Sequence, residues 1–123
     1  MTATQHALDL TAAAATAAAD KQAGDIVAFD VSEQLVITDV FLVCSAANDR
    51  QVRAVVAAVE DRLLGLGTKP VRREGEREGR WVLLDFGDVV VHVQHRDERA
   101  YYALERIWRD CPAVPLPAEV SSG

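Results

Sequence analysis

The run Trp81-Val82-Leu83-Leu84-Asp85-Phe86-Gly87-Asp88-Val89-Val90-Val91-His92-Val93 decides how this chain folds. Two stretches rich in β-branched and aromatic residues flank a Gly-Asp pair. Glycine and aspartate tolerate the backbone angles of a tight turn, so the two stretches are expected to pair as an antiparallel hairpin. Side chains alternate along a strand. Val82 and Leu84 therefore share one face, and Trp81, Leu83 and Asp85 share the other.

Upstream of this hairpin, Arg72 to Arg80 holds charges and glycines and no apolar residue, which reads as an exposed loop. Pro70 and Val71 are expected to begin a short third strand. Before them, Val52, Val55, Val56, Val59, Leu63 and Leu66 recur every three or four residues, the stripe of an amphipathic helix. Asn48-Asp49 suits its N-cap, and Gly65 and Gly67 close it. Val36 to Ser45 reads as the second strand, with Phe41 to Cys44 continuous enough to be buried on both faces. Asp25 to Val31 reads as the first strand. The alanine-rich segment from Ala7 to about Gln22 is the first helix, with Gly24 at its C-terminal stop.

Downstream, Arg96 or Asp97 opens a last helix whose apolar positions are Tyr101, Leu104, Ile107 and Trp108. Pro112, Pro115 and Pro117 stop it, since proline cannot continue a helix. The order is α-β-β-α-β-β-β-α. It describes a single α/β domain over residues 1–112, with a mixed sheet of about five strands flanked by helices. A crossover helix between the second and third strands suggests that those two are parallel. Residues 113–123 are expected to form a flexible tail.

The chain has 123 residues, half of them hydrophobic, and a formal net charge of −6. That suffices for one domain with one core. The acidic balance opposes direct binding of nucleic acid, because such affinity comes from neutralising phosphates. Arg72, Arg73, Arg77 and Arg80 are the cations available for RNA, but acidic neighbours accompany them. Cys44 and Cys111 have no metal-ligand spacing and read as free thiols. No stretch approaches the roughly 18 apolar residues of a membrane span, and the alanine-rich start lacks the pattern of a signal peptide. A cytoplasmic protein is expected.

A search for catalytic groups yields little. Asp85 and Asp88 are the most tempting pair, since carboxylates on one strand face hold metals for phosphoryl or nucleotidyl transfer. Their three-residue spacing, with Gly87 between, instead favours turn and surface roles. His92 and His95 share that spacing and should not converge on one metal. His92, inside Val89 to Val93, is expected to be a hydrogen-bonded structural residue. No nucleophile elbow, phosphate-binding loop or dinucleotide fingerprint is present, and no cofactor is called for. Two features call for a different account. Trp81 enters its strand straight from the charged loop, and Tyr102 lies about 100° round the last helix from Tyr101, beside Arg99. Tryptophan and tyrosine bury much area at little entropic cost, which suits protein contacts, and Trp81 equally suits a plug at the end of the sheet.

At these residues the chain resembles the ribosomal silencing factor, or Iojap, family. The resemblance rests on Glu74-Gly75, on Gly79 through His92, and on Arg99-Ala100-Tyr101-Tyr102-Ala103-Leu104-Glu105-Arg106-Ile107-Trp108. Asp25 to Val31 and Thr38 to Phe41 resemble the family's opening strands. The chain departs from the pattern at Ser45-Ala46, Asn48 and Gln51, after the second strand, and at Gln94, where phenylalanine is frequent. The resemblance implies a nucleotidyltransferase-like fold without the catalytic residues. It also implies binding to large-subunit ribosomal protein fourteen, a steric block to subunit joining when nutrients are scarce, and a homodimer when free. The expected contact residues are Trp81 and Leu84 as apolar anchors, Asp85 and Asp88 as partners for basic side chains, Tyr102 as an amphipathic anchor, and Arg99 and Glu105 beside it. A metal-dependent nucleotidyl- or phosphoryl-transfer enzyme is the competing reading.

Overall fold

A computed structural model describes residues 2–120. Helix α1 (Gln5–Asp20) begins where the Thr4 hydroxyl accepts the Ala7 N–H at 3.0 Å. Its buried face is mostly alanine, with Leu10 and Thr11. Such small side chains let α1 lie close against α2 (Asp49–Leu64). Helix α1 ends earlier than the glycine suggested. Gln22 takes the left-handed conformation (φ 63°), and the Ala23 N–H closes back on the Ala18 carbonyl at 3.0 Å. Gly24 is thereby released to open β1 (Gly24–Asp30).

The α2 expectation holds in detail. The Asn48 side chain caps the Gln51 N–H, and Val52, Val55, Val56, Val59 and Leu63 are buried. Only Leu66, beyond the helix end, is left exposed.

The sheet holds five strands in the order β1-β2-β5-β4-β3, the remaining four being β2 (Val40–Ala46), β3 (Arg72–Glu74), β4 (Trp81–Asp85) and β5 (Val89–His95). The expected hairpin is β4–β5, antiparallel, with Leu83 opposite His92. The single parallel pairing is β2 with β5, not the second strand with the third. The reason is burial. Strand β5 is buried at every position but the last and takes the centre, whereas β3 is Arg-Arg-Glu, exposed throughout, and tolerates only an edge. The third strand thus lies inside the segment read as a loop. The second strand is shorter than expected: Val36 and Ile37 sit in the preceding loop and are exposed.

Helices α1 and α2 cover one sheet face. Ile26, Ala28, Val40, Leu42, Cys44, Val82, Leu84, Val91 and Val93 meet them there in one core. Cys44 is fully buried, and burial pushes its thiol up to about 12. The other face carries α3 (Arg96–Tyr102), which is shorter than the expected last helix. Ala103 turns into the left-handed region (φ 47°), and a single 3-10 turn follows at Leu104–Arg106. Nor are the described residues 113–120 a free tail. The Pro112 carbonyl accepts the Asp30 N–H at 2.8 Å, and the Val114 N–H reaches the Ala28 carbonyl at 2.9 Å. These bonds protect the outer edge of β1, and Val114 and Val120 join the core. The last three residues of the expected tail, 121–123, lie outside the described residues.

Candidate functional site

Strand alternation sends Trp81, Leu83 and Asp85 to the sheet face away from α1 and α2. His92 reaches the same face from the adjacent β5, and Phe41 from β2 beyond it. The result is a continuous row of rings. Trp108 packs edge-on against Phe41 with centroids 5.0 Å apart, and Phe41 meets His92 at 5.2 Å. His92 adjoins Trp81 at 6.1 Å, Trp81 adjoins Tyr102 at 4.9 Å, and Tyr102 adjoins Tyr101 at 5.0 Å. Tilted and edge-on packing of this kind favours aromatic pairs beyond their buried area.

The row is buried at its middle and open at its α3 end. His92 is only 6% exposed, while Tyr102 is 50% and Tyr101 82% exposed. The Trp81 indole N–H donates to His92 Nδ1 at 3.2 Å, which fixes the plane of the half-buried tryptophan. Burial lowers His92 to about 4, so it stays a neutral acceptor at ordinary pH. The expected structural role of His92 is what the geometry displays.

The ends of β4 are pinned by charge. Arg80, just before Trp81, donates to Glu98 at 3.0 Å and also faces Asp97 and Asp49. At the other end, Asp85 Oδ1 accepts the Gly87 N–H at 2.8 Å, and its other oxygen lies 3.7 Å from Arg72. Asp88 is in the turn, where its backbone carbonyl accepts the N–H groups of Asp39 and Val40. Its half-exposed carboxylate lies 3.8 Å from His6. The two aspartates are thus held by different partners and do not form a paired-carboxylate site. Among the described residues, no group of three His, Cys, Asp or Glu side chains is placed to hold a metal.

Of the expected contact residues, Trp81, Tyr102 and Asp85 share one face. Leu84 does not: it points into the helix-covered core and is 0% exposed, so it cannot serve as an anchor. Leu83, directly opposite His92 and partly exposed, occupies the position that Leu84 was assigned. The alternation of β4 already contained that correction. Arg99 and Glu105 pair with each other at 3.0 Å, and Arg99 is largely buried. The pair braces the α3 break, and it leaves Arg99 Nη1 and Glu105 Oε1 without a hydrogen-bond partner. Phe41 and Trp108 belong to this face too. They come from separate segments, and only the sheet order brings them together.

The family model described as "Ribosomal silencing factor during starvation" matches residues 4–122. The ribosomal silencing factor of Bacillus subtilis is 46% identical over 103 residues, covering 84% of this chain and 87% of its own. A crystal structure from Bacillus halodurans superposes with a TM-score of 0.77 at 41% identity, covering 92% of this chain and all of that one. An X-ray structure from Chromobacterium violaceum gives 0.80 at 33% identity, covering 89% and 92%. With nearly its whole length matched and the sheet and ring-bearing face built from the residues that carry the likeness, this chain belongs to the ribosomal silencing factor family.

Proposed function

We propose that this protein silences ribosomes by obstruction. Its ring-bearing face docks on large-subunit ribosomal protein fourteen and keeps the small subunit from joining, lowering translation when nutrients are scarce. The family name is that of a regulator and describes no enzymatic reaction. The observation that carries the reading is the open end of the ring row. Trp81, Tyr102 and Tyr101 expose apolar area beside acidic groups and are packed ring against ring. Rigid aromatics among charges are the composition of a contact surface, because little freedom is lost on docking. Acidic Asp85, Asp97 and Glu98 suit a basic neighbour, and complementary charge speeds encounter.

No helix among the described residues is long and apolar enough to cross a membrane. A ribosomal partner supports a cytoplasmic location as part of the same proposal. In the absence of ribosomes the same apolar area suits self-association, and the proposal extends to a homodimer of the free protein.

Gradient co-sedimentation with purified subunits tests the docking. The chain is expected to travel with the large subunit and not the small. Trp81→Ala and Tyr102→Ala should each weaken that binding by more than about 1 kcal/mol, roughly fivefold or more, with the far-ultraviolet spectrum unchanged. Unaltered binding by both folded variants would remove this face from consideration.

A further inference from the structure

Helix α3 borders a concavity on the side towards β1. Its volume is about 510 Å³, within the range of small-molecule sites. Arg96, Arg99 and Arg106 line it, against the carboxylates of Asp25 and Glu105. Three cations against two anions is a local positive excess in a chain of net charge −6.

Three observations mark this cleft as more than a surface dent. Arg99 is 8% exposed, and although its Nε donates to Glu105, its Nη1 is buried without a hydrogen-bond partner. Buried guanidinium nitrogens are normally satisfied, so a vacant donor beside a cleft points to an acceptor supplied from outside. Next, Asp25 and Ala103 both line the cleft and both hold φ of 47°, a left-handed conformation that is strained for residues with a Cβ. Such strain gathers at ligand sites, where the surroundings enforce it. Last, the β1–β2 register slips between Gly24 and Val27, and irregularities of this kind re-aim side chains beside sites. Arg96, Arg106 and Asp25 make no ion pair or side-chain hydrogen bond with a described residue.

We propose that this cleft binds a small phosphate ester, of the class of sugar phosphates and nucleoside monophosphates. Arg96, Arg99 and Arg106 hold the phosphate, since guanidinium forks match its oxygens. Asp25 accepts a hydrogen bond from a hydroxyl of the ligand. The mixed charge favours a ligand with one phosphate and several donors over an RNA backbone, whose successive phosphates the two carboxylates would repel. The site needs no ribosome, so its test is separate from the silencing reading.

The test is an amide NMR titration of the full chain at constant ionic strength with inorganic phosphate, ribose 5-phosphate, adenosine monophosphate and a short RNA. Saturable shifts are expected around residues 24–27 and 96–106. Ribose 5-phosphate or adenosine monophosphate should bind more tightly than inorganic phosphate. Arg96 and Arg106 are exposed, so the double variant R96A/R106A should keep its spectrum elsewhere and lose about tenfold or more in affinity. If that variant unfolds, R106A alone decides. The proposal fails if chloride produces the same shifts, if no ester saturates, if the folded variant binds unchanged, or if RNA binds more tightly per phosphate than adenosine monophosphate.

Discussion

His92 and Gln94 stand side by side in β5, one register step apart on the sheet's outer face, and both are buried there. Each makes a testable demand. Burial holds His92 near 4, below the 6.5 it would have unfolded. As pH falls through 6.5 the unfolded chain takes up a proton that the folded chain refuses. Stability is therefore complete above 6.5, falls between 6.5 and about 4, and levels below that. The loss is on the order of 3 kcal/mol for this group. Thermal melts across that window should show a steeper fall for the wild type than for His92→Gln, and equal slopes would refute the assignment. Gln94 lies opposite Trp81, fully buried, with neither amide atom partnered. Burying an unsatisfied amide costs about 1–3 kcal/mol. Gln94→Met, of similar length and apolar, should raise the denaturation midpoint by an amount equivalent to about 1 kcal/mol or more. A lower midpoint would mean that the amide has a partner. At this scale the sequence revealed chemical types well and directions less well. The Leu84 assignment failed because strand residues three apart, such as Trp81 and Leu84, point to opposite faces, whereas Trp81 and Tyr102 do meet on the ring-bearing face.

Elements whose burial is complete were legible from pattern. The stripe of α2 and the β4–β5 hairpin appear where expected, because periodicity records which face is buried. Edge elements were not. Strand β3 has no apolar signal, since it buries nothing, and it exists because β4 offers it hydrogen bonds. The break at Ala103 was equally hidden, since Tyr101, Leu104, Ile107 and Trp108 keep helical spacing through it. In the fold, Trp108 turns to Phe41 while Tyr101 and Ile107 stay outside. The turn after β3 makes its own prediction. Gly75 has φ 83°, and a Cβ there would lie 1.9 Å from the Trp81 carbonyl oxygen, whereas Gly67, with the same φ, has nothing within 4 Å. Gly75→Ala should therefore destabilise by about 2–4 kcal/mol and disturb Trp81, as strain adds to collision. Gly67→Ala should cost only about 1 kcal/mol. Equal melting shifts for the two would argue that the loop relaxes freely.

Across the whole molecule, one sheet separates two tasks. Its inner face, with α1 and α2, supplies the stability. Its outer face, thinly covered by α3 and the following turn, presents rings and charges at fixed positions. The strand order that creates this outer face was not legible, because pairing β2 with β5 joins segments far apart in sequence. Composition bounds the proposal: a net charge of −6 disfavours an RNA-binding surface and suits the basic partner proposed. In the proposed mechanism, occupancy of this face alone obstructs the ribosome. Light scattering during subunit joining tests it most directly, with the protein added to large subunits before small subunits. The wild type is expected to suppress joining, with saturation near one chain per large subunit, and Trp81→Ala/Tyr102→Ala to restore it. Undiminished joining with the wild-type protein demonstrably bound to large subunits would contradict the proposed mechanism.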